Sequence, residues 1–236
     1  MAVARRSRGA SFKGSSAYES RAGYRLAASA YEKWHWLEFW RRNEVPIVQG
    51  WVATLRPGLF LDGGAGTGLY RNVLEAAKHR VVSADLSDEM LEIQKSAHSD
   101  ACLVQADLRA LPFRTELFDY VLCARALSNV PTIGRLLSEF RRVAKPNAEL
   151  LISDVHPEHR YSQMTIPSGG HEIAIQIFKH SVHELKTGFA DASLQLVSFQ
   201  EFRFQDLIWR PPIEKFEKIY HQPNRGIFYT CILRRP

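Results

Sequence analysis

"LFLDGGAGTGLYRNVLEAA" (Leu59–Ala77) is the stretch that decides how this chain is read. An apolar run ends on a carboxylate, Asp62. Glycine then occupies positions 63, 64, 66 and 68, and a helical pattern opens at Tyr70. Glycine at a strand-to-helix turn lets the backbone approach a ligand closely. A dinucleotide fingerprint would run G-x-G-x-x-G into the helix that receives the pyrophosphate. Read from Gly64 the chain gives G-A-G-T-G-L, so Leu69 stands where the third glycine belongs. Asp62 would also repel a pyrophosphate, and no Gly-Lys-Ser/Thr closes a P-loop. A ligand with a cationic end suits Asp62 far better.

Working outward, strand-like runs alternate with helix-like segments. The runs are "LFLDG", "RVVSAD", "ACLVQAD", "FDYVLCA" and "AELLISDV"; the helices fall at Tyr70–Lys78, Asp88–Ala97 and Ile133–Val143. This order predicts an α/β domain, a parallel sheet with crossover helices on both faces. Asp88 is the expected N-cap of its helix, and Pro146-Asn147 marks a helix-to-strand turn. After Val155 the pattern changes. "HPEHRYSQMTIPSGG" reads as irregular and turn-rich, and "HEIAIQIFKH" alternates as an antiparallel strand. A helix at His183 to about Ala190 and strands near Leu194–Phe204 and Gly226–Leu233 complete the domain.

With 236 residues, 45% hydrophobic and 24% charged, the chain has ordinary globular composition. No run approaches the roughly 18 apolar residues of a membrane span. Three cysteines without close pairing (Cys102, Cys123, Cys231) fit reduced thiols in a cytoplasmic setting, and no cluster has zinc spacing. The net charge of +6 leans on Arg5, Arg6, Arg8 and Lys13, which all precede the first acid, Glu19. Residues 1–16 read as a disordered, solvated basic tail, with a short transit peptide as the lesser reading. Residues 17–56 are helical and crowded with aromatic rings, which must pack on something or cover something.

The segment Asp62-Gly63-Gly64-Ala65-Gly66-Thr67-Gly68, or D-x-G-x-G-x-G, resembles motif I of the class I S-adenosylmethionine-dependent methyltransferases. "VVSADLSDEML" and "QADLRALPF" resemble the family's next motifs, and "FDYVLCARALSNV" with "LLSEFRRVAKPNAELLISD" its later ones. The resemblance covers about Leu59 to Val155. It implies a seven-stranded, Rossmann-like sheet, an N-terminal helical lid over 17–56, and a methyltransferase domain over 57–236 with a substrate cover at about 156–180. It also implies S-adenosylmethionine as cofactor. Asp62, Gly63, Gly64 and Gly66 would hold the methionine end. Asp85 would take the ribose hydroxyls, Leu86 and Met90 would flank the adenine, and Asp107 and the Leu108 amide would meet its edge. Tyr31 from the lid and Cys123 from the fourth strand would lie near the cofactor.

After the fourth strand stands Cys123-Ala124-Arg125-Ala126, not the Asn/Asp/Ser-Pro-Pro-aromatic tetrad of enzymes that methylate base amines or glutamine. The chain therefore more resembles the small-molecule branch, near the quinone-biosynthesis and natural-product methyltransferases. The acceptor is expected to be a small organic molecule with an oxygen, nitrogen or carbon target. A nucleic acid is disfavoured, and the protein is expected as a monomer or homodimer. The rival readings are an RNA or protein methyltransferase recruited by the basic tail and a non-catalytic cofactor-binding module. Tyr24, Trp34, Tyr161 and His180 are the expected acceptor contacts. His156, after the fifth strand in "SDVHPEH", is the expected general base, since its ring titrates near neutrality when unperturbed.

Overall fold

The computed structural model describes residues 17–159, 162–210 and 224–236. A seven-stranded sheet in the order β3-β2-β1-β4-β5-β9-β8 forms its centre. The strands are β1 (Leu59–Gly63), β2 (Arg80–Asp85), β3 (Cys102–Gln105), β4 (Phe118–Ala124), β5 (Ala144–Val155), β8 (Gln195–Arg203) and β9 (Gly226–Arg234). The first five are parallel. β9 runs antiparallel between β5 and β8. The chain leaves β1 toward β2 and β3 on one side and returns to β4 and β5 on the other. The sheet's switch point therefore lies between β1 and β4, where α/β sheets open a crevice at their carboxyl ends.

The apolar runs of β1, β4 and β5 feed two cores, one on each face. Leu61, Val121, Cys123, Leu150 and Ile152 pack with Leu136, Leu137 and Phe140 of α6 (Gly134–Val143) and with Leu185 and Phe189 of α7 (Val182–Asp191). Phe60, Leu122 and Leu151 face the other way, onto Leu74 of α4 (Arg71–Ala76) and Val48, Trp51 and Val52 of α3 (Val45–Val52). Strands buried on both faces read as continuous hydrophobic runs, which is why these segments were legible.

Three local expectations change. Ser87, not Asp88, caps α5 (Asp88–Ala97): its hydroxyl accepts the Met90 amide, and Asp88 is the first helical residue. Pro146-Asn147 does not precede β5. It forms a bulge inside it, with Asn147 at φ 64° between the pairings Phe118–Ala144 and Tyr120–Glu149. The stretch read as irregular contains β6 (Gln163–Ser168), which pairs with β7 (His171–Gln176) as an antiparallel hairpin. Its register sets Ile166 opposite Ile173, a regularity masked by Pro167 and the neighbouring polar residues.

The helical segment before β1 divides. α1 (Ser20–Tyr31) packs on α5 and on the β6–β7 hairpin, and α3 belongs to the sheet's core. α2 (His35–Asn43) links them. Tyr18 extends the hairpin: its N–H donates to Ala174 O at 2.8 Å, and it accepts the Gln176 amide at 2.9 Å. A Cβ on Gly23 of α1 would stand 2.5 Å from Ile175, so this helix sits directly on β7. No helix among the described residues is long and apolar enough to cross a membrane.

Candidate active site

A cleft of about 310 Å³ opens over the carboxyl ends of β1, β2 and β4, roofed by α1 and the end of β7. Its floor is the loop after β1. Gly64 and Gly66 have φ of 76° and 54°, in the left-handed region that residues with a Cβ seldom enter. A Cβ on Gly64 would lie 2.6 Å from Ala126 Cβ, so the loop abuts the segment after β4. The Gly66 amide donates to Asp85 Oδ2 at 2.8 Å, and the Ser87 amide to Asp85 Oδ1 at 2.9 Å. Burial pushes the Asp85 carboxyl up, against these backbone donors.

Asp62, the penultimate residue of the preceding strand, is 1% exposed. Its Oδ2 has no hydrogen-bond partner among the described residues. Burial, helped by the charge of Asp85, raises its pKa to about 7; Arg125 and Arg71 oppose the rise. A buried carboxylate oxygen without a donor is costly. An ammonium brought above the glycine loop would relieve that cost. Asp85 keeps lone pairs beyond its two amide bonds for a diol, and buried Met90 and Leu108 line an apolar section of the same cleft. These residues fit S-adenosylmethionine: acid for ammonium, acid for ribose, apolar walls for a flat base.

The structure brings Tyr24, Tyr31, Gly64, Gly66, Asp85, Leu86, Met90, Asp107 and Leu108 to the cleft. The Tyr24 and Tyr31 rings meet edge to face at 6.1 Å. Asp107 is already engaged: Arg109 Nη2 donates to its Oδ2 at 2.7 Å, and the Arg109 amide to its Oδ1 at 2.8 Å. Arg109 accordingly holds this carboxyl below its usual range.

Other expected site residues stand apart from the cleft wall. Gly63 lies in the strand, where a Cβ would meet Phe140 at 3.2 Å. Cys123 is wholly buried in the sheet core, and that burial pushes its thiol well up. Trp34 caps α2, and its Nε1 donates to Thr165 O of β6 at 3.1 Å. His180 Nε2 lies 3.1 Å from Leu127 O and 3.0 Å from Val130 O, bracing the segment after β4 from outside. His156, expected as the base, does not line the cleft; it is 3% exposed under β8 and β9. Its Nδ1 accepts the Glu158 amide at 3.2 Å, and its Nε2 lies 2.7 Å from Glu201 Oε1. Pairing of β9 along β5 brings Gly226 so close to the ring that a Cβ there would sit 2.2 Å from Nδ1. Tyr161 lies outside the described residues.

Sequence reasoning missed several residues of the wall: Ser20, Arg125, Asn129, Gln176 and Phe178. The signal for Arg125 was present, a lone charge directly after the apolar run of β4. The Ser20 hydroxyl donates to Asn129 O at 3.0 Å, and Asn129 Nδ2 donates to Arg125 O at 2.8 Å. Among the described residues no cluster of His, Cys, Asp and Glu is arranged to hold a metal ion.

Residues 61–152 match the family model described as a methyltransferase domain. A malonyl-[acyl-carrier protein] O-methyltransferase of Erwinia pyrifoliae is 35% identical over 101 residues, 42% of this chain and 38% of that protein. A ubiquinone/menaquinone biosynthesis C-methyltransferase of Shewanella frigidimarina is 33% identical over 132 residues, 51% of each chain. The chain thus spans about half, or less, of the curated relatives it matches. Among solved structures, a complex of the Haloferax volcanii Trm112 methyltransferase activator with a methyltransferase aligns at TM-score 0.70 and 18% identity, over 94% of this chain and 100% of that one. An S-adenosylmethionine-dependent methyltransferase from Mesorhizobium loti aligns at TM-score 0.63 and 17% identity, over 80% of this chain and 96% of the other. Likeness at this identity concerns the fold.

Proposed function

We propose, for a chain that belongs to the class I S-adenosylmethionine-dependent methyltransferases, that it transfers a methyl group to a small organic acceptor bound between α1 and the segment after β4. The observation that carries the reading is the glycine loop moored to Asp85 beside the unpartnered carboxylate oxygen of Asp62. When bound, S-adenosylmethionine supplies a methyl group already activated on a sulfonium. The chain's work is then alignment and the exclusion of water. Asp85 would accept the ribose hydroxyls, and Asp62 would face the ammonium. Met90 and Leu108 would enclose the base, with Leu86 at its edge. Tyr24 and Tyr31 would wall off solvent at the acceptor side. The similarity to a malonyl-[acyl-carrier protein] O-methyltransferase and to a ubiquinone/menaquinone biosynthesis C-methyltransferase supports a small acceptor group.

No histidine lines the cleft among the described residues. The reading therefore favours an acceptor atom that is deprotonated without a histidine base, such as an acidic oxygen or a neutral amine. Calorimetry with S-adenosylhomocysteine, followed by transfer of labelled methyl from S-adenosylmethionine over a panel of carboxylates, phenols and amines, tests it. Binding with label appearing in an acceptor supports it. Failure to bind S-adenosylhomocysteine would end it, and binding without transfer to any acceptor would favour a non-catalytic module.

A further inference from the structure

Beneath the glycine loop lies a buried polar cluster, none of whose members lines the cleft. Asp62, Arg71, Ser83 and Gln94 are each at most 3% exposed. In the register of β1 with β2, Asp62 stands opposite Ser83, one strand spacing of about 4.8 Å away. Phe60 and Val81, two residues earlier on each strand, pack toward α4. Side chains alternate along a strand, so Asp62 and Ser83 face the same way.

Arg71 of α4 and Gln94 of α5 reach this spot. Ser83 Oγ accepts from Gln94 Nε2 at 2.9 Å and from Arg71 Nη1 at 3.4 Å. A Cβ on Gly68 would stand 2.8 Å from Gln94 Cγ and Cδ, so this glycine of the loop admits the Gln94 side chain. Arg71 Nη2 pairs with Glu75 Oε1 at 2.7 Å, toward the surface. Three buried atoms of the cluster have no partner among the described residues: Asp62 Oδ2, Arg71 Nε and Gln94 Oε1. Two are acceptors and one is a donor, so direct pairing would leave one acceptor over. A water molecule has the matching complement, two protons to give and a lone pair with which to receive.

The cluster bears on function through charge. An ammonium above the loop needs Asp62 ionised. Burial and Asp85 hold the proton on, whereas Arg125 after β4 and Arg71 on α4 drive it off, which leaves the group at about 7. Cys123 of β4, a further titratable neighbour, is kept neutral by its burial. We propose that Arg71 is the positioning residue for Asp62. An internal water accepts from Arg71 Nε and donates to Asp62 Oδ2 and Gln94 Oε1, and this bridge holds the carboxylate ionised beneath the loop. Oδ2 keeps a second lone pair for a ligand. The consequence for ligand binding rests on the cofactor reading above; the bridge itself does not.

Two readings on the full chain test it. The first needs no ligand: the Asp62 carboxyl is titrated by carbon NMR of protein labelled at its aspartate carboxyls, with Asp62→Asn assigning the signal. Arg71→Met should raise the midpoint by about one pH unit, the low end of what a neighbouring opposite charge confers. Arg71→Lys keeps the charge without the Nε donor and should fall between. The second reading is calorimetry with S-adenosylhomocysteine across pH. A midpoint moved from about 7 to about 8 weakens binding about fivefold at pH 7, and affinity should recover by about pH 9. A merely structural arginine would instead weaken binding equally at every pH. Should Arg71→Met fail to fold, Gln94→Met replaces it. That variant removes one anchor of the water, leaves the pair with Glu75 intact and should raise the midpoint in the same direction by less. A crystal structure showing water within hydrogen-bond reach of Asp62 Oδ2, Arg71 Nε and Gln94 Oε1 supports the bridge. A dry site, or a midpoint that none of the variants moves, overturns the proposal. Wild-type protein that binds no S-adenosylhomocysteine at any pH overturns the cofactor reading instead, and the titration of the apo protein still decides for Arg71.

Discussion

The Gly66 amide donates to Asp85 Oδ2 at 2.8 Å, so the loop after β1 is moored to the end of β2. Asp85→Ala should therefore do two things. Loss of the proposed ribose partner weakens S-adenosylhomocysteine about 10- to 100-fold. Loss of the acceptor for the Gly66 and Ser87 amides lowers the melting temperature of the apo protein as well. Asp85→Asn retains one acceptor oxygen and should recover part of the melt. Calorimetry and thermal denaturation read the two effects separately, and unchanged affinity would remove Asp85 from the site.

Gly66 has φ 54°, and a Cβ there would meet only Met90 Cε at 3.6 Å. The space is free and the backbone is not. Gly66→Ala should cost about 1–2 kcal/mol of stability from left-handed strain alone. Gly66→Val should also abolish S-adenosylhomocysteine binding, because a branched side chain would stand over the loop. Retained binding in the valine variant would show that the ligand does not lie against this glycine.

Asp62 sets a pH dependence. Its folded pKa, about 7, lies above the ordinary 3.8. The proton thus favours the folded apo state: that contribution is full below about pH 4 and is lost as pH rises through about 7. The apo melting temperature of the wild type should fall over this window, and Asp62→Asn should flatten the fall and melt higher above pH 7. Affinity for S-adenosylhomocysteine should run the other way, rising as the carboxylate ionises to meet the ammonium. An equal pH profile in wild type and Asp62→Asn would separate Asp62 from the ligand.

His156 braces the end of β5 against Glu201 of β8 and the backbone at Glu158. His156→Ala should destabilise the fold by about 1–3 kcal/mol, the cost of buried polar partners left unmatched. Turnover measured well below the melt should stay within a few-fold. A general base would instead cost about 100- to 10,000-fold, and a loss of that size with an unchanged melt would restore the catalytic role.

Trp34 donates to Thr165 O and joins the α1–α2 corner to the hairpin. Trp34→Phe should cost about 1 kcal/mol and speed protease cleavage at the Ser168–Gly170 turn. S-adenosylhomocysteine should slow that cleavage if α1, which carries Tyr31, closes on the ligand. Equal rates with and without the nucleoside would make α1 a permanent wall.

The sequence alone determined β1, β2, β4 and the glycine loop, because buried parallel strands leave unbroken apolar runs and a turn against a ligand demands glycine. It also determined Asp85, whose place at a strand end follows from the same spacing. It did not determine which side chains reach the cleft. His156, His180 and Trp34 stand at plausible positions along the chain, yet β9 pairing beside β5 and the hairpin folding onto α1 turn them to other partners. Arg125, Glu44, Tyr70 and Ser153 are far apart in sequence and meet only because α3 and α4 pack on the face of the sheet that β4 and β5 share. Local pattern carries strand, helix and turn. Side-chain partnership across a hundred residues exists only once the layers have packed.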